Sequence, residues 1–266
     1  TIPIERQVAW LRKERPDYLL TYPTNALHLA RHCLDQGLDL PGLRQVETLA
    51  ELLTPETRTL CRQAWGLDIV DMYSAQEAGY LALQCPDHTG EGQERYHVLS
   101  EGVLVEILDE EDRPCSPGQT GRVVVTALHN FAMPLIRYEI GDYAEAGAPC
   151  SCGRGLPVIK RIIGRARSML ILPHGKKVYP IFSSTEFLAV APIRQKQLIQ
   201  RSENEIEIKL VIDRPLSEEQ ETRLGGLLNE RIGHRFTYRF TYLDEIPRSK
   251  GGKFEEVRVD FKTAPE

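Results

Sequence analysis

Apolar and polar positions follow three different rhythms along this chain, and the changes of rhythm divide it. In residues 1–73, helix-length apolar stripes alternate with short apolar runs. Val8, Trp10 and Leu11 predict an amphipathic helix that Pro16 ends. Residues 18–20 read as a short buried strand. Thr24 is placed to cap a helix carrying Leu27, Leu29, Ala30 and Leu34, which Gly37 closes. A second strand is expected within residues 43–49. Thr54-Pro55 opens another helix with proline at its first position, and Leu60, Ala64 and Trp65 share one face before Gly66. Residues 69–73 supply a third strand. Strand, helix, strand, helix, strand is the pattern of a parallel sheet wrapped by helices.

From Tyr80 the period shortens to that of β-structure. Residues 80–84, 96–99, 103–108 and 122–126 are strand-like, with turn residues at 109–112 and at Pro117-Gly118. They predict hairpins of a small antiparallel sheet or barrel leading into residues 134–142, PLIRYEIGD. There Leu135 and Ile136 read as the buried end of a strand, with Arg137 and Asp142 at its tip and Gly141 free to turn the backbone. Past Gly164 the pattern becomes compact α+β. Ser183 or Ser184 can cap a helix through Phe187 and Leu188. Ile206, Ile208, Leu210 and Ile212 alternate with Glu205, Glu207 and Lys209 as a half-buried strand. Ser217-Glu-Glu-Gln220 is a capping box before a helix with Leu224, Leu227, Leu228 and Ile232 inside. Residues 236–243 form a further strand, and residues 247–253 a basic loop. The expected domains are 1–164 and 165–266.

Composition narrows the function classes. A net charge of −5 suggests neither nucleic acid nor an anionic membrane as a partner. No apolar run is long enough to span a bilayer. The first residues carry no signal-peptide pattern and open part-way through an amphipathic helix. Six cysteines at 33, 61, 85, 115, 150 and 152 lack the spacing of a small disulfide scaffold. Free thiols in a reducing cytoplasm, with a metal site among them, fit better.

Four short segments carry candidate chemistry. Residues 73–77, YSAQE, follow a predicted parallel strand, and ligands of such sheets bind beyond the carboxyl ends of strands. An aromatic there can stack on a nucleobase, and a carboxylate can hold Mg²⁺ beside phosphates. Asp142 can take both hydroxyls of a ribose. Gly164-Arg165 brings a guanidinium to the expected boundary, where it could reach phosphate or ribose. Gly252-Lys253 offers a lysine flanked by flexible backbone, suited to neutralising a developing negative charge. Each alone reads more readily as a loop tyrosine, a surface ion pair or a solvated lysine.

Together, in this order and spacing, the four segments resemble those of the adenylate-forming, or AMP-binding, superfamily. The chain looks most like the branch of phenylacetate–CoA ligases, coenzyme F390 synthetases and CapK. YSAQE stands for the family's Tyr-Gly-x-Ser/Thr-Glu, RYEIGD for its Arg-Tyr-Arg-Thr-Gly-Asp, GRARSML for Gly-Arg-x-Asp-Asp-Met and GGK for its final Gly-Lys. The resemblance implies an α/β large domain with a small antiparallel β subdomain, followed by an α+β lid. It implies that Tyr73 stacks on adenine, Glu77 binds Mg²⁺, Asp142 holds the ribose, Arg165 contacts ribose or phosphate, and Lys253 is the catalytic lysine. The implied ligands are ATP or AMP, Mg²⁺, coenzyme A and a small-molecule carboxylic acid, with a mild preference for an aromatic or apolar one.

Two departures stand out. The family's Ser/Gly/Thr-rich phosphate loop has no counterpart in residues 1–60, and Arg167 and Ser168 occupy the two hinge Asp positions. The chain therefore resembles the later part of a ligase, with no adenylation expected of it unaided. Core surface left uncovered would make homodimerisation an option. A different acceptor, or a non-catalytic zinc-stapled nucleotide-binding or interaction domain, are the alternatives.

The metal question concerns Cys85, Cys150 and Cys152. With one histidine they would make a closed tetrahedral Zn²⁺ site of structural type. The phenylacetate–CoA ligase branch often has such a set, with its histidine at the start of a strand. That favours His97 over His88, although the length of the intervening insertion keeps His88 in play.

Overall fold

The computed structural model describes residues 2–87, 94–165, 169–175, 177–178, 187, 189–247 and 255–261. The chain divides into two compact units, Thr1–Gly164 and Arg165–Glu266.

In the first unit, α1 (Ile4–Glu14), β1 (Tyr18–Thr21), α2 (Pro23–Gln36), β2 (Gln45–Leu49), α3 (Pro55–Trp65) and β3 (Ile69–Ala75) follow one another. β1, β2 and β3 pair in parallel. The helices stop where the backbone can turn left-handed: Gly37 and Gly66 both have positive φ and return their N–H groups to the last turn. Thr54 caps α3 as expected, its hydroxyl accepting from the Thr57 N–H. Thr24 does not cap α2. Tyr22 holds that position and Pro23 the next, while the Thr24 N–H and hydroxyl both donate to the Glu51 carboxylate, at 3.1 and 2.7 Å. Two apolar expectations also change. Trp10 is exposed, and β1 is half-open, with Tyr18 and Leu20 exposed while Leu19 packs inward.

The antiparallel strands do not form a separate sheet. β4 (Gly79–Gln84), β5 (Tyr96–Val98), β6 (Val103–Leu108), β7 (Thr120–Ala127), β8 (Tyr138–Ala146) and β9 (Val158–Arg165) continue the parallel ones into a single nine-stranded sheet. Its order is β1-β2-β3-β4-β5-β9-β8-β7-β6, so the last strand in sequence sits between β5 and β8. β3 and β8 are four places apart in this order. At about 4.8 Å per strand a flat sheet would separate them by about 19 Å. Yet the Tyr73 hydroxyl on β3 donates to Asp142 on β8 at 2.8 Å. The sheet must therefore curl strongly, and its inner face is apolar: Leu81, Tyr96, Val98, Val103, Val123, Val125 and Ile140 are buried in one cluster with Tyr73.

The second unit has a four-stranded sheet, β14-β13-β12-β15, made of β12 (Gln195–Gln200), β13 (Glu205–Val211), β14 (Thr237–Tyr242) and β15 (Val257–Val259). A two-stranded ribbon, β10 (Leu170–Ile171) and β11 (Lys177–Val178), precedes it. The helix α4 (Glu218–Ile232) begins with the expected capping box: Ser217 accepts from the Gln220 N–H, and the Gln220 side chain accepts from the Ser217 N–H. Leu224, Leu228 and Ile232 then bury against Ile206, Ile208, Leu210 and Phe236. β12 is a strand the apolar pattern does not announce. Its polar residues are buried with partners: Lys196 pairs with Glu256 at 2.6 Å, Gln197 donates to the Glu255 carbonyl, and Gln200 both donates to and accepts from Ile171. The expected helix start at Ser183 or Ser184 lies outside the described residues.

Ser217→Ala removes one half of the capping box. It should destabilise the second unit by about 1 kcal/mol, seen as a lower urea midpoint with an unchanged slope. An unchanged midpoint would show that the box adds nothing.

Candidate functional site

The motif strands meet where the ladder of each with its neighbour is irregular. In the β7–β8 ladder, Arg122 faces Tyr143 and Val124 faces Glu139, so Ile140, Gly141 and Asp142 oppose Val123 alone. Gly141 has φ +78°, a left-handed conformation at which a side chain would be strained. The register of β3 on β4 also shifts, between Tyr73 and Ser74. Bulges re-aim side chains, and here they bring Tyr73 and Asp142 into contact. Both are buried, at 6% and 7% exposure, although their positions are 69 residues apart in sequence.

This corrects the expectation for residues 134–142. Ile136 is 75% exposed, and β8 starts only at Tyr138. Asp142 lies in the middle of β8 rather than at its tip. Arg137 does not accompany it: the guanidinium pairs with Glu106 at 3.2 Å, and the Arg137 N–H donates to the Thr126 hydroxyl. Glu77 is exposed just after β3, on a shallow cleft with Ala78, Gly102, Ala127, His129 and Asn130. Arg165 is an exposed residue of the second unit, at the end of β9. Lys253, Arg167 and Ser168 lie outside the described residues, as does His88.

Cys85, His97, Cys150 and Cys152 converge, with all four potential ligand atoms within 4.8 Å of one another. Zinc at about 2.3 Å from each sulfur sets sulfur–sulfur edges of about 3.8 Å in a tetrahedron. The Cys85 and Cys150 sulfurs are 4.0 Å apart, and Cys152 Sγ lies 3.2 Å from His97 Nε2. Donor type, number and spacing therefore fit a closed four-coordinate metal site with no open position. Cys33 and Cys61 are buried elsewhere, in the helical layer. Burial pushes the Cys61 thiol up to about 12, so it stays protonated at neutral pH.

Sequence reasoning missed a polar network on the same strands. Asp71 on β3 is 5% exposed. It accepts from the Thr48 hydroxyl at 2.6 Å and the Tyr96 hydroxyl at 2.8 Å. Gln84 accepts from the Asp71 N–H and from Arg58, whose other nitrogen donates to the Ile69 carbonyl. Gln84 and Tyr96 face each other across β4 and β5, as do Leu83 and His97. Alternation then puts Tyr96 and His97 on opposite faces of β5. One face is tied to Asp71 and the other to the cysteine set. An acidic residue in an otherwise strand-like run, 69–73, was the available signal.

Residues 170–260 match the family model for the CapK C-terminal domain. A phenylacetate–coenzyme A ligase from Thermus thermophilus is 29% identical, the match covering 95% of this chain and 62% of that protein. Protein CapK from Staphylococcus aureus is 26% identical over 91% of this chain and 53% of its own length. The chain is a homologue of the phenylacetate–CoA ligases and of CapK. It spans between about half and three-fifths of the length of these relatives. The fold is that of adenylate-forming enzymes. A 2-hydroxyisobutyryl-CoA ligase crystallised with an acyl-AMP superposes over 98% of this chain and 58% of its own, with a TM-score of 0.72 at 21% identity. An anthranilate CoA ligase in complex with anthranoyl-AMP covers 95% of this chain and 51% of its own, with a TM-score of 0.69 at 18% identity.

Asp71 makes a pH test of the network. Desolvation pushes its carboxyl up to about 6, against the hydrogen bonds from Thr48 and Tyr96 and the charge of Arg58. Between its unfolded value of about 3.9 and this raised value the folded state holds the extra proton. The contribution of Asp71 to stability therefore falls as pH rises through that window and levels off above it. In urea titrations, Asp71→Asn should flatten this slope relative to wild type. An identical slope would remove Asp71 as its source.

Proposed function

We propose that the chain carries the nucleotide-binding strands and the C-terminal domain of an ATP-dependent carboxylate–CoA ligase of the phenylacetate type. The observation that carries this reading is the buried hydrogen bond from Tyr73 to Asp142. It joins the two motifs that the resemblance assigns to adenine and ribose. Residues 1–164 would be the later part of the large AMP-binding domain and residues 165–266 the small C-terminal domain.

In this reading the acid's carboxylate oxygen attacks the α-phosphorus of ATP. The bond to the β-phosphate oxygen breaks, and pyrophosphate leaves. The thiol of coenzyme A then attacks the acyl carbonyl, giving up its proton, and AMP departs from the thioester. Asp142 would orient the nucleotide through the ribose hydroxyls, with Tyr73 beside adenine. Arg165 would contact ribose or phosphate. Lys253 would offset negative charge on the bridging oxygens as it develops, the kind of preorganised stabilisation that lowers such barriers most. Mg²⁺, when bound at Glu77, would neutralise phosphate charge. Zinc in the Cys85, His97, Cys150 and Cys152 set would be structural, fastening residues 150–152 to β5. The acid is a small carboxylic acid, with an aromatic or apolar one mildly preferred: the charged residues of YSAQE and of residues 49–52 are the acids Glu77 and Glu51, neither of which would pair with a second carboxylate.

Titration calorimetry with AMP tests the nucleotide part. The wild-type chain should bind AMP, and Asp142→Ala should weaken binding at least about tenfold, the scale of losing hydrogen bonds to a charged group. Equal affinity in the two proteins would sink the assignment of Asp142.

A further inference from the structure

The cysteine set has a cationic neighbour. Arg154 follows Cys152 by two residues, with Gly153 between them at φ +79°. That left-handed residue turns the chain back and leaves the Arg154 guanidinium beside the cluster. The same guanidinium reaches Cys85, with Nη1 at 3.7 Å from its sulfur. Arg154 Nη1 also pairs with Asp87 Oδ2 at 3.0 Å, two residues beyond Cys85. Arg154 thus spans both sides of the cluster: the loop that carries Cys152 and the end of β4 that leads to Cys85.

The charge balance gives this placement a purpose. Three thiolates around a divalent ion leave one net negative charge, and histidine adds none. A guanidinium donating to one of those sulfurs offsets that charge where it resides, on sulfur. It also draws electron density from the thiolates, making them poorer targets for protons and electrophiles. Arginine suits this task better than lysine, because its planar group can address a sulfur and a carboxylate at once.

We propose that Arg154, oriented by Asp87, is a positioning residue for metal retention. By its hydrogen bond to Cys85 it slows loss of the ion and modification of the thiolates. This rests on the reading above that the four residues hold zinc, and it goes beyond that reading by assigning a role to two residues that are not ligands.

The test uses the 266-residue chain, first equilibrated with zinc and measured for metal content. One zinc per chain in wild type is the expected starting point; none would overturn both the metal reading and the role of Arg154. With zinc present, Arg154→Met should transfer its ion to a chromogenic chelator about tenfold faster, the lower end of what losing such partners costs in affinity. Arg154→Lys should fall between, and Asp87→Asn should show a smaller acceleration. With cobalt in place of zinc, the thiolate-to-metal charge-transfer band should shift in Arg154→Met. A purely structural role for Arg154 would leave that band unmoved. Should Arg154→Met fail to fold, Asp87→Asn and Arg154→Lys carry the same measurements. Wild-type release rates and an unshifted cobalt spectrum in folded variants that bind one ion would overturn the proposal while leaving the metal site standing.

Discussion

A buried carboxylate must be given donors, and in the first unit that requirement governs how far the sheet bends. Asp142 sits mid-strand at low exposure, where an unsatisfied charge would be costly. The hydroxyl that meets it comes from a strand four places away in the same sheet. The bond can form only if the strands between them wrap round, and that wrapping closes the apolar inner face over Leu81, Val123, Val125 and Ile140. Polar satisfaction and hydrophobic burial therefore demand the same curvature. Gly141 makes it reachable, because the bulge at this point needs a residue that tolerates positive φ.

The same economy recurs on β5. This strand is three residues long, too short to hold its register by ladder hydrogen bonds alone. Its Tyr96 anchors one face to Asp71, and its His97 turns toward the cysteines on the other. Side-chain chemistry, rather than length, keeps it in place. In the second unit β12 works similarly. Gln200, fully buried, stitches the sheet to the β10–β11 ribbon through both backbone groups of Ile171.

What the sequence disclosed and what it hid follow from these facts. Helix boundaries were legible because they depend on single residues acting locally: Thr54-Pro55, Gly37, Gly66, and Ser217 with Gln220. The parallel strands were legible from their apolar runs. Tyr73 and Asp142 were visible as motif residues, but their contact was not, since it depends on strand order and curvature. β12 was hidden because Lys196, Gln197 and Gln200 read as surface until their partners are known. The start of β8 was misjudged because Leu135 and Ile136 look like core, whereas an apolar pair is equally compatible with an exposed approach to a strand. Asp71 escaped notice because a lone acid in a strand resembles an ordinary solvent-facing position.

The position of β9 has a consequence in time. Synthesis delivers the nine strands nearly in spatial order on either side, yet the one that joins the two sides comes last. Until residue 158 and those after it have emerged, β5 and β8 each present an open hydrogen-bonding edge, and an unpaired edge invites another chain. The hairpins β6–β7 and β7–β8, whose contacts are local, can form while the nascent chain waits. Completion of the sheet is a single late insertion. A pause in translation shortly before β9 would thus be the moment at which this protein is most exposed to misassembly.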